Sequence, residues 1–111
     1  MALVKKNLQN VKDYVNDPIL SLNAKGLLTQ LIELEDGYDL NQEKIGKMNS
    51  NGRESIKSTF DELERNGYLV RTDSRDGGRY FKTDYTIYDK SIFPNRVNPK
   101  IKNAQYLDWY R

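Results

Sequence analysis

The 111-residue chain has no cysteine and no histidine. The first absence excludes disulfides, thiolate nucleophiles and zinc–thiolate sites, and fits a reducing compartment. The second removes the commonest general base and metal ligand. No apolar run approaches the roughly 20 residues of a membrane span, and no signal-peptide pattern opens the chain, so a cytoplasmic protein with no membrane partner is expected. A strong charge excess is lacking too. Lys and Arg number 18 against 16 Asp and Glu, a net charge of +2, which argues for nucleic-acid binding only if the charge is unevenly placed. With 37% hydrophobic residues and a mean hydropathy of −0.85, a single domain of this length has a small core.

Catalytic signatures are missing as well. There is no Gly-rich phosphate loop ending in Lys-Ser/Thr and no nucleophile elbow, so no catalytic residue, cofactor or small-molecule substrate is assigned. Glu33, Glu35, Asp36 and Asp39 gather around one turn, and an acidic helix end in water accounts for them without a metal.

What is present centres on residues 51–67, NGRESIKSTFDELERNG, which read as one helix with a start, a buried stripe and a stop. Asn51 is the expected N-cap, and Glu54 three residues later completes a capping box. Ile56, Phe60 and Leu63 recur at i, i+4 and i+7. Asn66-Gly67 stops the helix, since glycine accepts the left-handed conformation past a helix end. The other face holds Arg53, Glu54, Lys57, Ser58, Asp61 and Arg65. Facing water, this is an ordinary amphipathic helix. Set into a major groove, the same side chains meet the donors and acceptors of base edges.

Upstream, Leu8, Val11 and Val15 predict a short packing helix over residues 7–15, broken by Asn16-Asp17-Pro18. Residues 21–35 predict the main supporting helix, with Ala24, Leu27, Leu28, Leu31 and Ile32 on one face and Lys25, Gln30 and Glu33 outward. Asp36-Gly37 is a turn, and Tyr38-Asp39-Leu40 a very short strand. Asn41 caps a helix over residues 42–48, with Leu40 and Ile45 at the positions of a hydrophobic staple and Gly46 marking a close helix approach. Asn49-Ser50-Asn51-Gly52 then breaks the chain before the central helix, a helix-turn-helix arrangement.

After Gly67 the period changes to two. Residues 68–72 predict a strand, residues 74–78 an adaptable loop with two glycines, and residues 79–88 a second strand. Phe81, Thr83, Tyr85 and Ile87 are expected inward, with Tyr80, Lys82, Asp84 and Thr86 outward. The hairpin carries Arg71, Arg75, Arg79 and Lys82, partly offset by Asp73 and Asp76. Beyond it, Asn98-Pro99 predicts the start of a last helix bearing Ile101, Ala104 and Leu107, with Tyr106, Trp109 and Tyr110 at its end. Arg96, Lys100, Lys102 and Arg111 against Asp108 make this region the most basic, at four minus one, or +3.

The order helix, short strand, helix, helix, hairpin predicts an α+β, winged helix-turn-helix fold: a three-helix core plus a β-hairpin wing, with short N- and C-terminal helical extensions. Residues 1–20 form the N-terminal extension, 21–89 the DNA-binding domain and 90–111 a basic, aromatic extension. The expected partner is double-stranded DNA, with the third helix in the major groove and the wing on the adjacent backbone or minor groove. The expected contacts are Ser50, Asn51, Arg53, Glu54, Ser55, Lys57, Ser58 and Asp61 from the turn and helix, and Arg71, Arg75, Arg79 and Lys82 from the wing. Arg53 and Lys57 suit guanine O6/N7 or phosphate, while Ser50, Asn51 and Ser55 suit phosphate. Glu54 and Asp61 oppose phosphate, although a carboxylate accepts from cytosine N4. The terminal helices offer a contact for a homodimer.

Two stretches carry a resemblance to a known family. Leu20-Ser21-Leu22-Asn23-Ala24-Lys25-Gly26-Leu27-Leu28 and Glu64-Arg65-Asn66-Gly67-Tyr68-Leu69-Val70-Arg71, with a Tyr-Asp-Leu strand between them and a glycine-bearing wing after, look like the helix-turn-helix domain at the start of phage replisome organisers and Gram-positive plasmid replication initiators of the DnaD-like group. The resemblance covers residues 16–89 and implies origin or operator DNA as ligand, a mobile genetic element as source, and replication initiation or its control as role. Such replication proteins usually carry a further domain, whereas this chain ends soon after the wing. A small transcriptional regulator has the same shape, and the wing with Asp73, Arg75 and Asp76 is similar to that of MarR-type repressors. Some winged helices bind only proteins, so an adaptor is the remaining alternative.

Overall fold

The computed structural model describes residues 2–76 and 78–93, with the side chains of residues 76 and 79–81 outside the described set. Strand β1 (Ala2–Asn7) is followed by a 3-10 turn (Asp13–Asn16), helices α1 (Leu22–Glu33), α2 (Gln42–Lys47) and α3 (Arg53–Arg65), and strands β2 (Leu69–Asp76) and β3 (Arg79–Tyr88). Among the described residues this is a small α+β fold, three α-helices packed on a three-stranded mixed sheet of order β1-β3-β2. The last helix expected from residue 99, its aromatic end and the pairing of two copies through it lie outside the described residues.

The N-terminal segment starts as a strand, Ala2–Asn7, and the helix expected over residues 7–15 is replaced by an irregular stretch ending in the 3-10 turn Asp13–Asn16. β1 runs parallel to β3, from Ala2 opposite Thr83 to Asn7 opposite Tyr88. Its other edge is also satisfied. Val4 N–H donates to Tyr38 O at 2.9 Å, and Leu40 N–H and Gly37 N–H donate to the carbonyls of Ala2 and Val4 at 2.6 and 2.8 Å. Ala2 and Lys6 N–H donate to the carboxylates of Asp39 and Asp36 at 3.1 and 2.9 Å. The short strand expected at Tyr38–Leu40 is thus reduced to one antiparallel bridge, Leu3 to Asp39, and β1 lies between it and β3. Further on, Asp89 accepts from Gln9 and Val11 N–H at 2.9 and 3.1 Å, which keeps that stretch out of a helix. Val15 is 45% exposed, and Tyr14 is the residue that enters the core.

α1 forms as expected. Ser21 caps it, its hydroxyl accepting from Ala24 N–H at 3.1 Å, and Ala24, Leu27, Leu28 and Leu31 are buried. Each buried leucine contributes about 1.5–3 kcal/mol. α2 is capped by Asn41, whose side chain accepts from Lys44 N–H at 2.8 Å, and the staple residues Leu40 and Ile45 are both fully buried. Gly46 does not mark a close helix approach: a Cβ there would meet nothing within 4 Å, because this six-residue helix turns only Ile45 into the core.

α3 buries Ile56, Thr59, Phe60 and Leu63. Its start differs from expectation. Gly52 is the N-cap residue, without a side-chain cap, and Asn51 turns its amide to Ser55 Oγ at 3.3 Å, so Asn51 and Glu54 make no capping box. Its end is a Schellman motif: Tyr68 N–H donates to Leu63 O at 3.0 Å, Gly67 N–H to Glu64 O at 3.3 Å, and Gly67 has φ +79°.

The β2–β3 hairpin is longer and tighter than expected. Residues 74–76 belong to β2, Asp76 pairs with Arg79, and Gly78 just before Arg79 has φ +83°. A bulge shifts the register between Ser74 and Arg75. Thr83, Tyr85 and Ile87 face the core as expected, while the side chains of Tyr80 and Phe81 lie outside the described set. Asp84, expected outward, is buried. The lysines on either side explain it, since Lys5 of β1 and Lys82 of β3 hold Nζ at 3.2 and 3.8 Å from Asp84 Oδ2.

Candidate nucleic-acid interface

Three sets of contacts set the position of α3. The turn before it is tied to α1 by a reciprocal amide pair: Gln30 Nε2 donates to Asn49 Oδ1 at 2.8 Å, and Asn49 Nδ2 donates back to Gln30 Oε1 at 2.9 Å. Asn49 Nδ2 also reaches Ile45 O at 2.9 Å and so closes the end of α2. In mid-helix, Phe60 packs on Tyr85 of β3 with ring centroids 6.3 Å apart and tilted by 60°. Near its end, the Glu62 carboxylate accepts from both Ser21 N–H and Ser21 Oγ, at 2.7 and 2.8 Å, and holds the start of α1. None of these partners was legible in the sequence, where Gln30 read as an outward polar residue and Asn49 as a turn former.

The outer face of α3 gathers most of the expected contacts. Ser50, Asn51, Arg53, Glu54, Lys57, Ser58 and Asp61 are exposed, and Ser55 is half-buried, its carbonyl accepting from Thr59 Oγ1 at 2.7 Å. Arg53, Glu54, Lys57 and Asp61 make no ion pair with any described residue. The contrast is with Lys5, Lys44, Lys47 and Arg71, each within 4.0 Å of a carboxylate.

The hairpin cations are divided. Arg71 points to the helix-covered side of the sheet, lining a hollow with Leu40, Asn41, Gln42 and Tyr85. Its Nε lies 3.3 Å from Asp73 Oδ1, and Thr83 Oγ1 donates to the same oxygen at 2.6 Å. The Thr83 hydroxyl first, and then Arg71 and Arg75, hold the Asp73 carboxyl below the usual carboxylate range. Lys82 is engaged by Asp84. Arg75, just past the bulge, is exposed, and the side chain of Arg79 lies outside the described set. Arg71 also links hairpin and helix: burial first, and then Asp61, hold the Glu64 carboxyl on α3 above the usual carboxylate range, and the Arg71 charge offsets only part of that rise.

The acidic turn serves the fold. Asp36 and Asp39 accept backbone N–H groups of β1, and the Ala2 N–H first, then Lys44, keeps the Asp39 carboxyl low. Among the described residues no group of three or more His, Cys, Asp or Glu could hold a metal ion, and no helix is long and apolar enough to cross a membrane. No family model matches this chain, and no curated protein or solved structure matches it.

Proposed function

We propose that this chain is a winged-helix protein that binds double-stranded DNA, with α3 in the major groove and the β2–β3 hairpin as the wing. The carrying observation is the state of Arg53 and Lys57: one turn apart on α3, exposed, and without an ion pair among the described residues. Holding unpaired cations on a helix braced by a buried core and a reciprocal amide pair suits contact with guanine O6/N7 or phosphate. Arg75, exposed beyond the bulge, supplies a cation for the backbone beside the groove. β1 is an addition to the winged-helix pattern, inserted between residues 38–40 and β3. The sequence resemblance extends the reading to origin or operator DNA of a phage or plasmid, in replication initiation or its control, with transcriptional regulation as the alternative role.

A protein-binding adaptor is the second reading, favoured by the neutralised wing, where Asp73 and Asp84 offset Arg71 and Lys82. Binding to a labelled duplex across a salt series separates the two. A DNA binder loses affinity with a slope of about 0.9 log units per phosphate neutralised. Flat, negligible retention selects the adaptor.

A further inference from the structure

The outer face of α3 is not uniformly basic. Arg53, Lys57 and Arg65 share it with Glu54 and Asp61, three cations against two carboxylates, so the formal charge on this face is only +1. A helix built only to grip phosphates gains nothing from those carboxylates, which are repelled by the backbone on both sides of a groove. Nor are they spent on the cations. Lys57 lies three residues after Glu54 and four before Asp61, the spacings at which helix ion pairs form, yet neither pair closes. On α2, by contrast, Glu43 and Lys47 are also four apart and do pair, at 3.6 Å.

An array of unpaired cations and carboxylates along one rod suits a partner that sets paired acceptors beside a donor. The major-groove edge of a G·C pair is such a partner: guanine offers O6 and N7 side by side to a cation, and cytosine N4 offers a donor to a carboxylate. An A·T pair fits less well. Its donor, adenine N6, separates its two acceptors, so a cation finds no adjacent pair of them, and the thymine methyl would lie against charged groups. From Arg53 to Asp61 the helix rises about 12 Å, the length of about three to four base pairs.

We infer that the site read by α3 is a duplex core of consecutive G·C pairs, with Arg53 and Lys57 on guanines and Glu54 and Asp61 as specificity-determining residues that accept from cytosine N4. The inference rests on the DNA-binding reading above and narrows its ligand. In this arrangement the carboxylates weaken binding to any other sequence and strengthen it only where cytosine stands beneath them. Removing their charge therefore raises affinity for unrelated duplexes while lowering discrimination.

The test is selection of bound duplexes from a randomised library by the full chain and by Glu54→Gln and Asp61→Asn, followed by binding assays on a selected duplex and on one with A·T pairs in its place. The expected result is G·C enrichment over a short core, with a preference that drops about tenfold in at least one variant. Affinity of that variant for the A·T duplex should be unchanged or higher. Selected sites without G·C enrichment, or a preference that both variants retain, would overturn the inference and leave the DNA reading standing. Failure of the unaltered chain to retain any duplex would overturn that reading and this inference with it.

Discussion

The side-chain amides of Gln30 and Asn49 meet head to tail, each donating to the other's oxygen at 2.8 and 2.9 Å, across 19 residues of sequence. The pair couples the supporting helix to the turn that launches α3. Asn49→Ala leaves the Gln30 amide without this partner and removes one of the two donors at Ile45 O, the other being Met48 N–H, and should cost about 1–3 kcal/mol. Gln30→Ala should cost about 1 kcal/mol, and the double variant less than the sum, since the second truncation removes a group already orphaned. Denaturant unfolding of the three variants measures this coupling.

Gly67 and Gly26 should respond to alanine with opposite signs. At Gly67, φ is +79°, and a Cβ would lie 2.8 Å from Ser91 Oγ and 3.1 Å from Ile92 N. The left-handed conformation alone costs an L-residue about 1–2 kcal/mol, and the contact adds to it. A methyl added at Gly26, inside α1, would meet nothing within 4 Å, so Gly26→Ala should stabilise by up to about 1 kcal/mol. Thermal melts of both variants check the contrast.

Acid should loosen the hairpin. Asp73 is held below the usual carboxylate range, first by the Thr83 hydroxyl and then by Arg71 and Arg75. A carboxyl whose folded pKa is depressed adds stability above its unfolded value, and that stability is lost as pH falls through the folded value. Asp39 acts in the same direction, through the Ala2 N–H first. Melting temperature should therefore decline below about pH 4. Thr83→Val, which removes the first cause at Asp73, should make that decline shallower while lowering stability near neutral pH. An identical acid profile in variant and parent would count against this role for Asp73.

How much could be read beforehand depended on how local each cause was. α1 and α3 were legible because their buried residues recur at the helical period, and the hairpin because its alternation in residues 83–87 is regular. β1 was not. Ala2–Asn7 holds two lysines and only a few apolar residues, and its place depends on edges supplied by residues 36–40 and by β3. Leu8, Val11 and Val15 mimic a helical face by chance of spacing, and Val15 is exposed. Asn51 looked like a cap, but the extended residue before the helix is Gly52, one position later. Asp84 looked outward by alternation, and only the parallel neighbour β1 brings the Lys5 charge that lets it be buried. For the site, exposure along α3 followed from periodicity, whereas the Thr83 bond to Asp73 and the Lys5 contact with Asp84 needed the register of the sheet.

Arg75→Ala should weaken duplex binding to a similar extent across sequences and reduce the salt slope by about 0.9, the mark of one lost phosphate contact. Lys82→Ala should do less, because its ammonium already lies 3.8 Å from Asp84. Titrations of both variants at several salt concentrations compare them directly. A change of sequence preference in Arg75→Ala, with an unchanged slope, would argue against a backbone contact.

The central claim is that α3 meets the duplex through Arg53 and Lys57, and the most direct measurement is the affinity of the Arg53→Ala/Lys57→Ala double variant for a duplex that the unaltered chain retains. Each side chain should be worth about tenfold, so the double variant should bind about a hundredfold more weakly, with its circular dichroism and melting temperature close to the parent's. An undiminished affinity in a correctly folded double variant would contradict the claim and put the contact surface elsewhere on the molecule.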